Sequence, residues 1–292
     1  MDFKTVEMKK ILVPTDFSEC SYYAVEYAAN IARRTHGELY LLHIIEAPEM
    51  ASALTLSNEW LLKDQSYSTD MHSIMNMMED AKKRMEEYKM RPEMQGIPVV
   101  ENIEIGNTED LINSVASRYS IDFIVMCAHG SSGENDFLIG SNAEKMIRGT
   151  ARPTLTLKNL PPELPENIVF ASDFFDDATQ AIGPVQEFAS TFGARLHFVK
   201  INTLERFETT RESRLRFHKF QADTGVQGDL TIYNDVMLEN GIINFARETG
   251  ADVISLAIHN KLGLGHLFMN SLTEGLINHA NCPVLTVNLG KE

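Results

Sequence analysis

Apolar runs of roughly four to eight residues alternate along the chain with stretches of helical periodicity, and the whole series occurs twice. Ile11, Leu12 and Val13 form a short apolar strand, Pro14-Thr15-Asp16 turns out of it, and Ser18 caps a helix running to a Gly37 stop. Leu39 to Ile45 and Val99 to Ile105 are the next two strands. A helix from about Thr108 to Tyr119 follows, with Leu111, Ile112, Val115 and Ala116 on one face. Phe123 to Cys127 is a fourth strand, Gly140 to Arg148 a turn and helix, and Thr154 to Leu157 a fifth strand.

The second series opens at Asn167 to Phe174, and the copies can be laid over one another by counting. Asp16 matches Asp173, Gly37 matches Gly193, His129 matches His259, and Pro153 matches Pro283. The first two pairs lie 157 and 156 residues apart and the last two 130, so the second copy lacks roughly 27 residues in its middle. A duplication into domains 1–160 and 166–292 is expected, with the proline-rich Leu160 to Pro165 as an extended linker. Strands alternating with amphipathic helices imply right-handed crossovers and parallel sheets covered on both faces. The expected fold class is α/β: two tandem doubly wound, parallel five-stranded sheets of order 3-2-1-4-5. In such sheets ligands bind beyond the carboxyl ends of the strands where the order reverses, here between the first and fourth strands.

A formal charge of −15 argues against nucleic-acid backbones and anionic membranes as partners, since both need Lys or Arg clusters. Met1 to Lys10 is charged and without an apolar core, and no apolar run reaches the roughly 20 residues of a membrane span, so a cytoplasmic location is expected. Cys20, Cys127 and Cys282 are odd in number and at no metal spacing, which predicts a reducing compartment without a disulfide framework. Cys20 falls two residues after the Ser18 cap, where the helix dipole favours a thiolate, yet an inert packing role is expected because free Cys is usually buried. The stretch from about Glu46 to Arg91 is specific to the first copy. Its Met71, Met75, Met78 and Met85 read as the core-facing stripe of a long crossover helix, or alternatively as an adaptable surface for a partner.

The segment that carries candidate chemistry is Cys127-Ala-His-Gly130, nine residues, then Gly140-Ser141-Asn142. Gly130 permits close backbone approach, and Gly140-Ser141 opens a helix whose free N–H groups and positive dipole end attract an anion, phosphate being the natural guest. The second copy reads Ala257-Ile-His-Asn260, nine residues, then Asn270-Ser271, and the Asn side chains fill the room a phosphate needs. There is no GxxxxGK[ST] loop, no dinucleotide fingerprint, no zinc spacing and no Gly-x-Ser-x-Gly elbow.

Lys10 to Ser18, the glycine loop with Glu144 to Arg148 behind it, and the Pro-led strand Pro153 to Lys158 resemble the universal stress protein family, as a tandem of two such domains. The resemblance implies a flavodoxin- or Rossmann-like, adenine nucleotide alpha hydrolase-like fold. The family's ATP-binding branch has Gly-x2-Gly-x9-Gly-Ser/Thr, and Gly130, Gly140 and Ser141 meet its last three fixed positions. It implies that Pro14, Thr15 and Asp16 contact adenosine, that the backbone of Ile44 meets the adenine edge, and that Gly130, Gly140, Ser141 and Asn142 hold the phosphates. His129, which recurs as His259, reads as a turn-packing residue. Cys127 stands where the pattern has its first glycine: if that glycine makes space for ribose the thiol weakens binding, and if only its backbone is used the change is tolerated.

The leading expectation is a cytoplasmic stress-response protein that binds ATP, with Mg or Mn, in its first domain as a switch or sensor with little or no hydrolysis. The second domain is expected to be empty of nucleotide, as a structural or regulatory partner. The rival is an interaction scaffold or holdase-like protein that binds no nucleotide. The fifth strands are sheet edges, and because such strands pair two domains in the resembling family, the halves are expected to form an internal pseudo-dimer, with a further homodimer of the whole chain left open by the sequence.

Overall fold

The computed structural model describes residues 8–46, 65–129, 140–161, 164–259 and 264–289. The first half contributes strands β1 (Lys10–Pro14), β2 (Glu38–Ile45), β3 (Val99–Ile105), β4 (Phe123–Cys127) and β5 (Thr154–Leu157). Its helices are α1 (Glu19–Thr35), α2 (Gln65–Lys89), α3 (Thr108–Arg118) and α4 (Ser141–Gly149). The second half contributes β6 (Asn167–Ala171), β7 (Arg195–Asn202), β8 (Leu230–Asn234), β9 (Val253–His259) and β10 (Val284–Leu289). Its helices are α5 (Asp176–Phe192), α6 (Thr210–Thr224), α7 (Leu238–Thr249) and α8 (Leu264–His279).

Within each half the strands are parallel and ordered 3-2-1-4-5, which places the reversal between β1 and β4 and between β6 and β9. The two expected five-stranded sheets are one ten-stranded sheet, in the order β3-β2-β1-β4-β5-β10-β9-β6-β7-β8. The joint is the antiparallel pair β5 and β10, where Leu285 lies opposite Leu155 and Thr286 opposite Thr154. Unpaired edge N–H and C=O groups are costly, and here each half supplies the other's missing neighbour. Thr286 Oγ1 adds a hydrogen bond to Thr154 O at 3.2 Å.

Alternation along the strands divides the interior into two layers. Ile11 and Val13 of β1 face one layer with Ala24, Val25 and Ala28 of α1, while Leu12 faces the other with Val115 of α3 and Ile147 of α4. Each layer continues from one half into the other, so Phe123 of β4 stacks on Phe188 of α5, ring centroids 5.7 Å apart. No helix among the described residues is long and apolar enough to cross a membrane.

One detail of the internal alignment is corrected. The left-handed residue ending α1 is His36 (φ 52°), and the one ending α5 is Gly193 (φ 71°), so Gly193 corresponds to His36 and not to Gly37. Gly37 is needed for close approach instead, because a Cβ there would collide with the carbonyl oxygen of Lys9, where the chain passes under β1. Its counterpart is Ala194, whose N–H bonds Ala189 O as that of Gly37 bonds Ala32 O. The second copy therefore shows that this backbone can shift to admit a methyl group. Gly37→Ala is expected to cost about 1–3 kcal/mol in a urea unfolding curve, the range of modest overpacking. An unchanged midpoint would show that the contact relaxes freely.

The methionine stripe is also only partly as expected. The covered face of α2 is Ile74, Ala81, Met85 and Tyr88, with Met78 at its margin, whereas Met75 is 55% exposed. At 3.6 residues per turn Met75 lies roughly 80° around the helix from Met85, outside the strip that meets the sheet. The side chain of Met71 lies outside the described residues.

Candidate functional site

At the reversal between β1 and β4 the chain builds a cavity of about 410 Å³. Its floor comes from the β1–α1 turn. Pro14 ends the strand, and Thr15 N–H reaches across to Leu42 O of β2 at 2.8 Å, fixing the turn to its neighbour. Thr15 Oγ1 accepts from Phe17 N at 3.0 Å and lies 3.0 Å from Ser21 Oγ, which holds Phe17 in the left-handed region (φ 62°). Asp16 Oδ1 accepts from Ser18 N at 3.0 Å, and Ser18 Oγ in turn accepts from Ser21 N at 3.1 Å as the cap of α1. These bonds fix the turn that brings Asp16 to the cavity lining.

The opposite wall follows β4. Ala128 N–H bonds Leu157 O of β5 at 2.7 Å, which extends the strand to the rim, and Gly140 N–H bonds back to Ala128 O at 2.8 Å. This second bond brings the start of α4 to the end of β4. Gly140 is the N-cap residue (φ −66°), and the amides of the following turn lack partners within the helix, so they form the anion-attracting end of α4.

Seven of the ten residues singled out from sequence line this cavity: Pro14, Thr15, Asp16, Ile44, Cys127, His129 and Gly140. Ser141 and Asn142 open α4, with side chains outside the described residues, and Gly130 lies outside them altogether. Sequence reading missed His43, Glu46 and Thr108, which also line it. His43 Nδ1–H donates to Thr15 O at 2.8 Å and its ring packs 4.5 Å from that of Phe17, so it braces the turn from β2. Thr108 Oγ1 donates to Glu46 Oε1 at 2.7 Å across the rim. Among the described residues no group of three or more His, Cys, Asp or Glu side chains could hold a metal ion.

The expectation of three unpaired cysteines is overturned. Cys20 in the first turn of α1 and Cys127 at the end of β4 are disulfide-bonded, with Cα atoms 5.7 Å apart, inside the range a disulfide requires. The sequence holds no trace of this pairing because 107 residues separate the two and no periodicity links them. Cys282 is a free thiol, and burial pushes it up to about 11.

At the equivalent turn of the second half, Asp173 is engaged by ion pairs. The β6–β7 register puts Lys200 where β2 has His43. Its side chain is 3% exposed, and its ammonium lies 3.0 Å from Asp173 Oδ1 and 3.1 Å from Glu208 Oε2. Arg216 pairs with Glu208 and donates to Asp173 O at 3.1 Å. The helix after β9 differs as well: α8 starts at Leu264, so Asn270, the counterpart of Gly140, lies inside a helix instead of at its start.

A tandem of doubly wound α/β halves, with a cavity at the strand reversal of the first, defines the class of protein. The universal stress protein family profile matches residues 7–158 and 165–288, and the chain belongs to that family. It is 30% identical over 159 residues to the universal stress protein MJ0577 of Methanocaldococcus jannaschii, covering 53% of this chain and 97% of that protein. It is also 30% identical to MJ0531 of the same organism, over 51% of this chain and 82% of that one. Among solved structures, a universal stress protein from Archaeoglobus fulgidus superimposes with a TM-score of 0.73 at 20% identity, covering 98% of both chains. PA1789 from Pseudomonas aeruginosa follows the same course, with a TM-score of 0.66 at 18% identity over 97% of this chain and 94% of that one. At these identities the two structures speak for the fold.

Proposed function

We propose that the first half binds ATP, with Mg or Mn bridging its phosphates, and acts in the cytoplasm as a nucleotide-dependent switch or sensor with little or no hydrolysis. The observation that carries this reading is the meeting of the Pro14-Thr15-Asp16 turn, Ile44 and the Gly140 start of α4 around one cavity of about 410 Å³, within the range of small-molecule sites. In that reading Asp16 and the Ile44 backbone take the adenosine end, and Gly130, Gly140, Ser141 and Asn142 take the phosphates. Cys127 and His129 complete the wall between them. The second half carries no nucleotide in this reading, because Lys200 already occupies the carboxylate of Asp173. It serves as the structural or regulatory partner of the first, and any homodimer would form outside the β5–β10 joint.

Gly140→Asn tests the reading, since it copies Asn270. An N-cap at φ −66° accepts Asn without strain, so the fold is expected to be kept. The added side chain enters the anion site. Losing charge-assisted bonds worth about 1.5–3 kcal/mol corresponds to about a tenfold to hundredfold weaker ATP·Mg binding by calorimetry. No heat with the wild-type chain, and no nucleotide released on denaturing it, would remove the ATP reading in favour of the interaction scaffold.

A further inference from the structure

We propose that Cys20 and Cys127 are a reversible thiol–disulfide site that sets the shape of the cavity wall, so that the redox state of the pair controls ligand binding. The proposal rests on the placement of the two residues. Cys20 belongs to the first turn of α1, at the positive end of a helix of 17 residues, and is partly exposed. Cys127 is the last residue of β4, is 8% exposed and lines the cavity. Their Cα separation of 5.7 Å allows the bond without moving the backbone. The surrounding contacts tie the pair to the site: His129 N–H points to Cys127 Sγ at 3.4 Å, at the start of the loop leading to Gly140. Cys20 Sγ lies 3.2 Å from Lys158 O, at the end of β5. The bond therefore joins α1, β4 and the approach to α4, the elements that carry the two ends of the cavity.

The chemistry balances with a hydroperoxide as oxidant and a dithiol as reductant. The thiolate of Cys20, partly exposed in the first turn of α1, attacks a peroxide oxygen. The O–O bond breaks, the distal oxygen leaves as water or alcohol after taking a proton, and Cys20 becomes a sulfenic acid. The sulfur of Cys127 then attacks the Cys20 sulfur, the S–S bond forms and a second water leaves with the Cys127 proton. Two electrons pass from the thiols to the peroxide. In reverse, a dithiol attacks the partly exposed Cys20 sulfur, releases Cys127 as the thiolate, and closes to its own disulfide as Cys20 leaves.

The consequence for the cavity follows from side-chain freedom. In the disulfide, Cys127 Sγ is held in one position by its bond to Cys20 of α1. In the dithiol it can turn about its Cα–Cβ bond among staggered positions, one of which crowds the cavity at the place where the family pattern has glycine. This coupling depends on the nucleotide reading above, whereas formation of the bond does not.

The test compares the full chain after hydrogen peroxide and after dithiothreitol. Peptide mapping without reduction is expected to find Cys20 joined to Cys127 with the loss of two hydrogens, reversed by dithiothreitol, with Cys282 unmodified as an internal control. ATP·Mg affinity is expected to be at least about threefold tighter in the oxidised chain, a difference of about 0.7 kcal/mol. Cys20→Ser is expected to bind like the reduced chain under both treatments. Absence of the joined peptide overturns the proposal. So does a joined peptide with equal affinity in both states. If neither state binds ATP, the nucleotide reading falls, and amide hydrogen exchange at residues 127–129 and in the first turn of α1 decides: slower exchange in the oxidised chain supports the switch, and equal exchange removes it.

Discussion

Glu208→Gln is expected to lower the unfolding free energy by about 3 kcal/mol at neutral pH, the low end of what breaking a buried ion pair costs. Glu208 is one-fifth exposed and receives bonds from Arg216, from Lys200 at 3.1 Å and from Ser213 Oγ at 3.1 Å. Gln keeps the shape and the hydroxyl contact but leaves Lys200, 3% exposed, facing Asp173 alone. The pH dependence separates this cause from a packing defect. Arg216 first, and Lys200 after it, hold the Glu208 carboxyl down to about 2 against an ordinary 4.5. A group with a depressed folded pKa contributes stability that is fully present above its unfolded value and is lost as pH falls toward the folded one. The gap between wild type and variant in urea unfolding should therefore be constant above about pH 4.5 and close as pH falls toward about 2. A gap of the same size at neutral pH and near the folded value would assign the loss to packing instead.

This cluster also shows which parts of the molecule were legible in the sequence. Strands β4 and β5 were readable to the residue because their apolar runs are bounded by turn chemistry and both of their faces are buried, whereas β3, an edge strand of mostly half-buried residues, was readable from its bounds at Pro98 and Gly106. The Asp16 turn and the Gly140 helix start were readable because short motifs fix their own backbone. Lys200 was hidden for the opposite reason: no local motif marks that it stands where the first half has His43, and a count anchored on Gly37 and Gly193 is one residue out. Aligning the copies on Asp16 and Asp173, with a constant offset through β2 and β7, would have exposed the exchange of His for Lys. The Cys20–Cys127 pair was out of reach, since it depends on α1 lying across β4. The same is true of the single ten-stranded sheet: edge strands announce that they need partners, but the partner's register is set by both halves together.

Phe188→Ala is expected to lower stability by about 4 kcal/mol, within the range for a phenylalanine deleted from a core, and to do so for both halves at once. Phe188 belongs to α5 of the second half and is fully buried. Its ring stacks on Phe123 of β4 in the first half and meets Phe192 edge-on at 5.1 Å. Phe192 approaches Tyr27 of α1, ring centroids 6.4 Å apart. The side chain therefore closes the layer beneath the β5–β10 joint, and the cavity left by alanine opens onto β4 as well as α5. If the joint makes one cooperative unit, calorimetry will show a single transition in both chains, shifted downward in the variant. Amide exchange in β1 and in β6 will quicken together. A variant in which β6 loses protection while β1 keeps it would mean that the halves fold independently and that the first half's cavity does not depend on the second.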